Sequence, residues 1–436
     1  MQPQDLQRAF YEMLLESQFW SPRQIEDYQR GQLTQLLRHA RRNVPFYENR
    51  LDPVFTASGD IDWDRWEDIP IVRRSDMLEH RDAMLARERP AGHGEVGTVS
   101  SSGSTGQPIR ITSNRLTITA ANGNRWRAHR WFGLDWSKTL AVRGDPRPGA
   151  DPDQGRLVGP WGPPWDDASR FGRSVEYMRN FSAARLLEYL LETDVRYLAW
   201  GAKNLHAVAL EAERLGIRLD IDCVLTHGQQ TGAADKAAFT RVWGARCLDH
   251  YSSKEAGQMA YSCPSGSGLH VSAESVFVEV VDAEGRAVPQ GEDGRVVVTP
   301  FVSTAQPLIR YDQGDIASFG PPCKCGRCLP VLAQVSGRTL SIFTHPDGRR
   351  AAKMLAEETR AALRAVFWQI AQVGPGSFEI RYVPADWSDV GDEATAVADF
   401  RSVYFHDAEV RCVRVREIPL TAAGKFIEYV NEWAAT

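Results

Sequence analysis

From residue 183 to residue 251 helical and strand-like runs succeed one another, and that alternation limits the fold more than any other feature of the chain. Residues 183–192 read as a helix, Arg196-Tyr197-Leu198-Ala199-Trp200 as a buried strand, and 204–215 as a second helix. Cys223-Val224-Leu225-Thr226 follows as a strand, 233–242 as a helix and 247–251 as a further strand. Strands separated by helices need crossover connections, so the pattern predicts an α/β core with largely parallel pairing. The rhythm extends over about 115–335, and within it 270–318 differs. There Val276-Phe277-Val278-Glu279-Val280-Val281 and Gly294-Arg295-Val296-Val297-Val298-Thr299 read as an antiparallel β region attached to the core.

The flanks carry other signals. Residues 4–40 read as amphipathic helices, with Leu6, Phe10, Met13 and Leu14 and then Leu33, Leu36 and Leu37 near helical spacing. Ser75 reads as the N-cap of a helix over 76–80. Residues 144–169, rich in Gly, Pro and Asp but interrupted by Trp161 and Trp165, read as a long loop of the kind that often walls a pocket. A boundary falls near Gly337-Arg338. Beyond it a helix over 352–365, a strand over 378–382 and a final helix over 427–433 suggest a small α+β unit. The expected organisation is α/β: a large N-terminal α/β domain with mixed sheets over residues 1–337, then a small mobile α+β C-terminal domain over 338–436.

Composition excludes several classes. A formal net charge of -5, with no basic block beyond His39-Ala40-Arg41-Arg42, argues against nucleic acid as a partner. No apolar run is long enough to span a bilayer, and Met1–Arg8 lacks the apolar core of a signal peptide, so no membrane partner is expected. Seven cysteines, three of them bunched at Cys323, Cys325 and Cys328, do not make a secreted disulfide framework, which favours a cytoplasmic setting.

Five short segments carry chemistry. Ser100-Ser101-Ser102-Gly103-Ser104-Thr105-Gly106-Gln107-Pro108 offers backbone N–H groups and hydroxyls that can wrap phosphate oxygens, though it also reads as a flexible Ser/Gly linker. It is not a Walker A loop, since no Lys-Ser/Thr pair closes it. His250-Tyr251-Ser252-Ser253-Lys254-Glu255 follows a strand, which places Glu255 where open α/β sheets bind ligands. Asp315, in Ile309-Arg310-Tyr311-Asp312-Gln313-Gly314-Asp315, can accept hydrogen bonds from a ribose diol. Arg338 can reach a phosphate or sugar. Lys425, in Thr421-Ala422-Ala423-Gly424-Lys425, sits beside a flexing glycine and can swing toward developing charge. Taken singly, each of these is an ordinary turn or surface residue.

Their joint occurrence in this order resembles the adenylate-forming superfamily, specifically the phenylacetate–CoA ligase family and its relatives in capsular polysaccharide biosynthesis. Arg41-Arg42-Asn43-Val44-Pro45-Phe46-Tyr47 and Ile69-Pro70-Ile71-Val72-Arg73-Arg74-Ser75-Asp76 are similar to that family's N-terminal signature. The resemblance implies an ATP- and Mg²⁺-dependent ligase that adenylates a small-molecule carboxylic acid, releases pyrophosphate and passes the acyl group to CoA. An amine or carrier-protein thiol as acceptor, nucleotidyl transfer to a small molecule, and non-catalytic nucleotide binding are the alternatives. It assigns Ser101, Ser102, Gly103, Ser104, Thr105 and Gly106 to the β- and γ-phosphates, Gly228 and Gln229 to the adenine loop, and Tyr251 to adenine stacking. Glu255 is assigned to Mg²⁺, Asp315 to the ribose, Arg338 to the nucleotide and Lys425 to the carboxylate and α-phosphate. Three positions depart from the family pattern: Thr339-Leu340-Ser341 lacks the hinge carboxylate, Gln229 replaces a Glu, and Lys254 replaces a Thr.

Cys263, His270, Cys323 and Cys325 form a mixed thiolate and imidazole set suited to a structural, tetrahedral Zn²⁺, with Cys328 as a spare; reduced, unliganded thiols are the plainer alternative. Residues 125–205 hold Trp126, Trp131, Phe132, Trp136, Trp161, Trp165, Phe171 and Trp200, consistent either with an aryl-acid pocket or with ordinary packing. Arg127, Arg130 and Arg143 are candidates for a second anionic group, or are surface residues.

Overall fold

A computed structural model describes residues 3–100, 109–144, 155–178, 183–266, 268–336, 343–351, 355, 357–384, 387–388, 390–418 and 427–433. The chain forms two compact units, Met1–Val335 and Ser336–Thr436.

In the first unit, twelve strands make one sheet. From one edge it runs Val276–Val281, Gly294–Pro300, Tyr311–Phe319, Val331–Ser336, Leu269–Val271, Gly257–Ser262, Arg246–Ser253, Cys223–Thr226, Val195–Trp200, Thr139–Gly144, Arg173–Met178 and Arg156–Pro160. Its middle is parallel from Arg246–Ser253 through Arg173–Met178. The helices Ala183–Glu192, Ala202–Leu215 and Ala233–Trp243 make the intervening crossovers. All four residues of Cys223–Thr226 are buried, as expected where helices cover a parallel strand. Two of these helices end at Gly216 and Gly244, both left-handed (φ 67° and 66°), a conformation glycine takes without the Cβ clash.

Arg246–Ser253 is the junction: parallel to Cys223–Thr226 on one side, antiparallel to Gly257–Ser262 on the other. The antiparallel region is therefore a continuation of the parallel sheet across one shared strand, a closer union than the attached region the sequence suggests. The segment read as a long loop also contains structure. Arg156–Pro160 pairs antiparallel with Arg173–Met178 at the sheet edge, and buried Trp161 donates its indole N–H to the Lys138 carbonyl at 2.8 Å. Residues 145–154 lie outside the description.

The N-terminal helices Pro3–Ser17 and Pro22–Asn43 form as expected, the second opened by a reciprocal Ser21–Gln24 capping box. The short helix near residue 75 is Arg74–Glu79, so Ser75 lies in its first turn and is not its cap. Its N-cap residue is Arg73, whose N–H donates to the Asp76 carboxylate at 2.7 Å. Asn114 caps the helix Arg115–Trp131 by accepting from Thr117 N.

The second unit is a four-stranded sheet, Glu409–Arg414, Ser377–Pro384, Ala365–Gly374 and Tyr429–Asn431, with helices Glu357–Ala362 and Glu393–Val403. Phe343, Phe378, Tyr382 and Phe400 are among its buried core residues. Two expectations need correction. Ala365 opens a strand, so the helix ends earlier than read. Residues 427–433 contain a strand in place of a helix, with Tyr429 beside Ile370 in parallel register, where Tyr-Val suits a pleated surface. Among the described residues no helix is long and apolar enough to cross a membrane.

Candidate active site

The residues assigned to the nucleotide converge on the carboxyl-terminal ends of the parallel strands, the side on which open α/β sheets bind ligands. Gly228 and Gln229 follow Cys223–Thr226, and Tyr251 lies near the end of Arg246–Ser253. Gly228 is left-handed (φ 70°), and the Gln229 side-chain oxygen accepts from Lys203 N at 3.2 Å. A Cβ at Gly201 would meet that oxygen at 2.6 Å, so only glycine lets the two segments approach this closely. Behind the loop, buried Asp235 bonds Lys203 Nζ at 2.9 Å, His206 Nδ1 at 2.6 Å and Gly232 N at 2.8 Å. Burial pushes the Asp235 carboxyl up, and His206 and Lys203 together outweigh that and hold it well below the ordinary range.

Tyr251 donates its hydroxyl to Asp315 Oδ2 at 2.5 Å, and Asp315 is buried. Asp315 follows Arg310, a non-glycine residue with positive φ (52°) that the surroundings hold in place. The Arg310 guanidinium is buried and donates to the carbonyls of Glu67, Ile69 and Gly285 and to the Glu279 carboxylate.

Glu255 is buried in the turn after Tyr251, with Arg74 Nη1 4.0 Å from its Oε1. Lys254 reaches from this turn to donate to the Ser100 carbonyl at 2.8 Å. Val96–Ser100 pairs antiparallel with Arg110–Asn114, Ser100 opposite Arg110. The Glu255 turn is thereby tied to the residue just before the Ser/Gly stretch. Ser101, Ser102, Gly103, Ser104, Thr105 and Gly106 themselves lie outside the described residues, as do Arg338, Thr339-Leu340-Ser341 and Lys425.

The four proposed metal ligands come together although 62 residues separate the first from the last. The ligand atoms of Cys263, His270, Cys323 and Cys325 all lie within 4.8 Å of one another. Cys263 and Cys323 Sγ are 3.6 Å apart, and Cys325 Sγ is 3.3 Å from His270 Nε2. Ligands 2.3 Å from a tetrahedral zinc stand about 3.8 Å from one another, so the set is close to the required size. Ser265 N and Cys325 N point at the Cys263 and Cys323 sulfurs, each at 3.4 Å. Cys328 is exposed and outside the cluster.

Sequence reasoning missed a basic recess beside the nucleotide residues. His227 and His250 stack with ring centroids 5.6 Å apart, and His250 packs on Tyr261 at 5.4 Å. On the helix Arg115–Trp131, His129 accepts from Trp136 Nε1 at 3.3 Å. Arg125 lies one turn before it on the same face. Burial, then His227 and Arg125, push His250 down to about 3, and burial with Arg125 and His250 keeps His129 neutral as well. The i, i+4 spacing of Arg125 and His129 is the only sequence signal, and it is a weak one. Arg127, by contrast, is fully buried and paired with Glu274 at 2.6 Å, so it is neither a surface residue nor a binder of a second anion. Trp126 and Trp165 pack edge-on at 4.8 Å against Tyr11 of the first helix and serve as core.

No protein-family model matches the chain. It is 24% identical over 328 residues, 71% of this chain and 69% of the relative, to the phenylacetate–coenzyme A ligase of Thermus thermophilus. In structure it is similar to 2-hydroxyisobutyryl-CoA ligase in the postadenylation state with an acyl-AMP, at a TM-score of 0.73 and 19% identity over 96% of this chain and 91% of that one. An anthranilate CoA ligase bound to anthranoyl-AMP is also similar, at a TM-score of 0.52 and 14% identity over 82% of this chain and 76% of that one. The chain has the adenylate-forming architecture and is phenylacetate–CoA ligase-like in sequence.

Proposed function

We propose that the chain is an AMP-forming acid–thiol ligase. ATP adenylates a small carboxylic acid, and the acyl group then passes to CoA. The observation that carries this reading is the Tyr251–Asp315 pair set beside Gly228, Gln229 and Glu255 at one end of the sheet, in a chain similar over most of its length to a CoA ligase.

In the first step a carboxylate oxygen attacks the α-phosphorus, and the bond to the bridging oxygen breaks, so pyrophosphate leaves. In the second a thiolate sulfur attacks the acyl carbon, and AMP leaves with the electron pair of the C–O bond. Neither step calls for a protein nucleophile. Asp315 would accept from the ribose hydroxyls, Tyr251 would stack on the base, and the Gly228–Gln229 loop would line the adenine. Ser101, Ser102, Gly103, Ser104, Thr105 and Gly106 would hold the outer phosphates, with Arg338 on the nucleotide. Lys425 would bridge the attacking carboxylate and the α-phosphate, where two anions meet and charge builds.

Glu255 suits Mg²⁺: it is a buried carboxylate with its described ion-pair partner 4.0 Å away, which leaves oxygen lone pairs for a hard cation. A bound Mg²⁺ would offset phosphate charge. Cys263, His270, Cys323 and Cys325 suit a structural Zn²⁺, with all four positions taken by protein atoms.

The test is ATP–pyrophosphate exchange across aryl, aliphatic and amino acids, followed by product analysis with CoA. Acid-dependent exchange and a CoA thioester are expected. Exchange stimulated by an amine or carrier thiol but not by CoA would move the acceptor. Nucleotide binding with no exchange on any acid would refute the ligase reading.

A further inference from the structure

The recess formed by Arg125, His227 and His250 adjoins the residues proposed to hold ATP: His227 precedes Gly228, and His250 precedes Tyr251. A carboxylate attacking the α-phosphate must place its far end in a space next to the nucleotide, and this is the described recess in that position. Arg125, His227 and His250 all keep solvent-accessible surface, and the Arg125 side of the helix is open. Yet enough protein surrounds Arg125 that burial lowers its pKa. Those two facts fit a walled space open to water, neither a buried core nor a flat surface.

Its chemistry is unlike that of an aryl pocket. The walls carry one permanent cation and two solvent-accessible imidazoles, one of which, His250, is held neutral. Arg125 donates to Asn122 Oδ1 at 2.9 Å, and among the described residues no carboxylate pairs with it. A guanidinium held in a partly desolvated recess without a protein counter-ion recognises an anionic oxygen bidentately. Neutral imidazoles beside it can donate or accept without adding repulsion. Arg127, the neighbouring guanidinium, shows the contrast, since Glu274 already satisfies it.

We infer that Arg125 binds a second anionic group on the acid substrate, so that the enzyme selects acids with a carboxylate or similar anion at the end opposite the one that reacts. This rests on the ligase reading above and names the substrate class for it. His227 and His250 line the same space and hydrogen-bond the middle of the acid. Arg125 is a specificity residue and takes no part in the bond-making.

The test compares matched acids in ATP–pyrophosphate exchange: phenylacetate against 4-carboxyphenylacetate, and butyrate against succinate. The wild-type enzyme should favour the dianion of at least one pair in kcat/KM. Arg125→Met should shrink that preference by about 10- to 100-fold, the range of one charge-assisted hydrogen bond. Arg125→Lys should retain part of it. If Arg125→Met does not fold, the wild-type ratio and Arg125→Lys still decide the matter. Efficient exchange confined to monoanions, or a dianion preference that survives both variants, overturns the inference and leaves adenylation intact. Absence of exchange with every acid overturns both.

Discussion

Tyr251 and Asp315 are joined by a 2.5 Å hydrogen bond although their strands stand four steps apart in the sheet order. On a flat sheet that separation is about 19 Å, further than a tyrosine and an aspartate reach. The antiparallel half must therefore curl round until Tyr311–Phe319 faces the end of Arg246–Ser253. The curl brings the proposed base-stacking residue and the proposed ribose-binding residue together.

Replacement of Asp315 by Ala removes the proposed ribose acceptor and leaves the Tyr251 hydroxyl without this partner. The KM for ATP should rise about 10- to 100-fold, as for loss of a hydrogen bond to a charged group. Tyr251→Phe removes only the bond between the two and should raise KM less than Asp315→Ala. Equal ATP affinity in wild type and Asp315→Ala, read by exchange kinetics or calorimetry, would remove Asp315 from the site.

The parallel core was legible because its strands are buried on both faces and so appear as short apolar runs such as Cys223-Val224-Leu225-Thr226. Tyr429–Asn431 was not. It is three residues long, pairs with a strand about 60 residues away, and its flanking Ile427 and Trp433 imitate helical spacing. The metal set was legible because residue type and grouping alone mark it. Arg125 was not, since nothing local separates an arginine facing a recess from one facing water, and Arg127 misled for the opposite reason. Their difference lies in what other strands and helices place beside them.

Lys425→Ala should abolish acid-dependent pyrophosphate exchange by at least about 100-fold, because a preorganised cation at a developing charge carries several kcal/mol of the barrier. Nucleotide affinity should change little, since the lysine acts on the reacting carboxylate and α-phosphate. Single-turnover acyl-AMP formation and nucleotide titration separate the two. Wild-type exchange in this variant would exclude Lys425 from the first step.

Purified protein should hold about one zinc per chain, as a closed site with four protein ligands does. The double variant Cys263→Ser, Cys323→Ser should hold almost none and should melt at a lower temperature. Cys328→Ser should keep its zinc, because Cys328 is exposed and outside the four-ligand set. Elemental analysis reads all three. Wild-type protein free of zinc, with Cys263 and Cys323 readily alkylated, would exclude the site.

Stability should fall as pH drops below the range of free histidine. His250 titrates at about 3 in the folded chain, so between about 6.5 and 3 the unfolded state takes up the proton first. Each unit of acidification then costs up to about 1.4 kcal/mol from this residue, with His129 acting in the same direction. Above the free-histidine pKa the contribution is full and flat. His250→Asn should reduce the slope of unfolding free energy against pH in that window. An unchanged slope would mean that His250 is protonated in the native state.

Arg310 offers the clearest stability test, because its environment allows no partial substitute. The guanidinium serves three backbone carbonyls and Glu279 from a buried position, and its backbone is held at φ 52°. Burial raises the pKa of Glu279, and Arg310 is the main group opposing that rise. Arg310→Met should therefore cost about 3–5 kcal/mol, the usual penalty for leaving a buried charge without its partner. Adding Glu279→Gln should recover part of that loss, because the stranded carboxylate is gone, but not the part owed to the carbonyls of Glu67, Ile69 and Gly285. Urea unfolding of the two single variants and the double variant gives the coupling directly. Simple additivity would mean that Arg310 and Glu279 do not depend on one another, and the strain at residue 310 would then need another source of support.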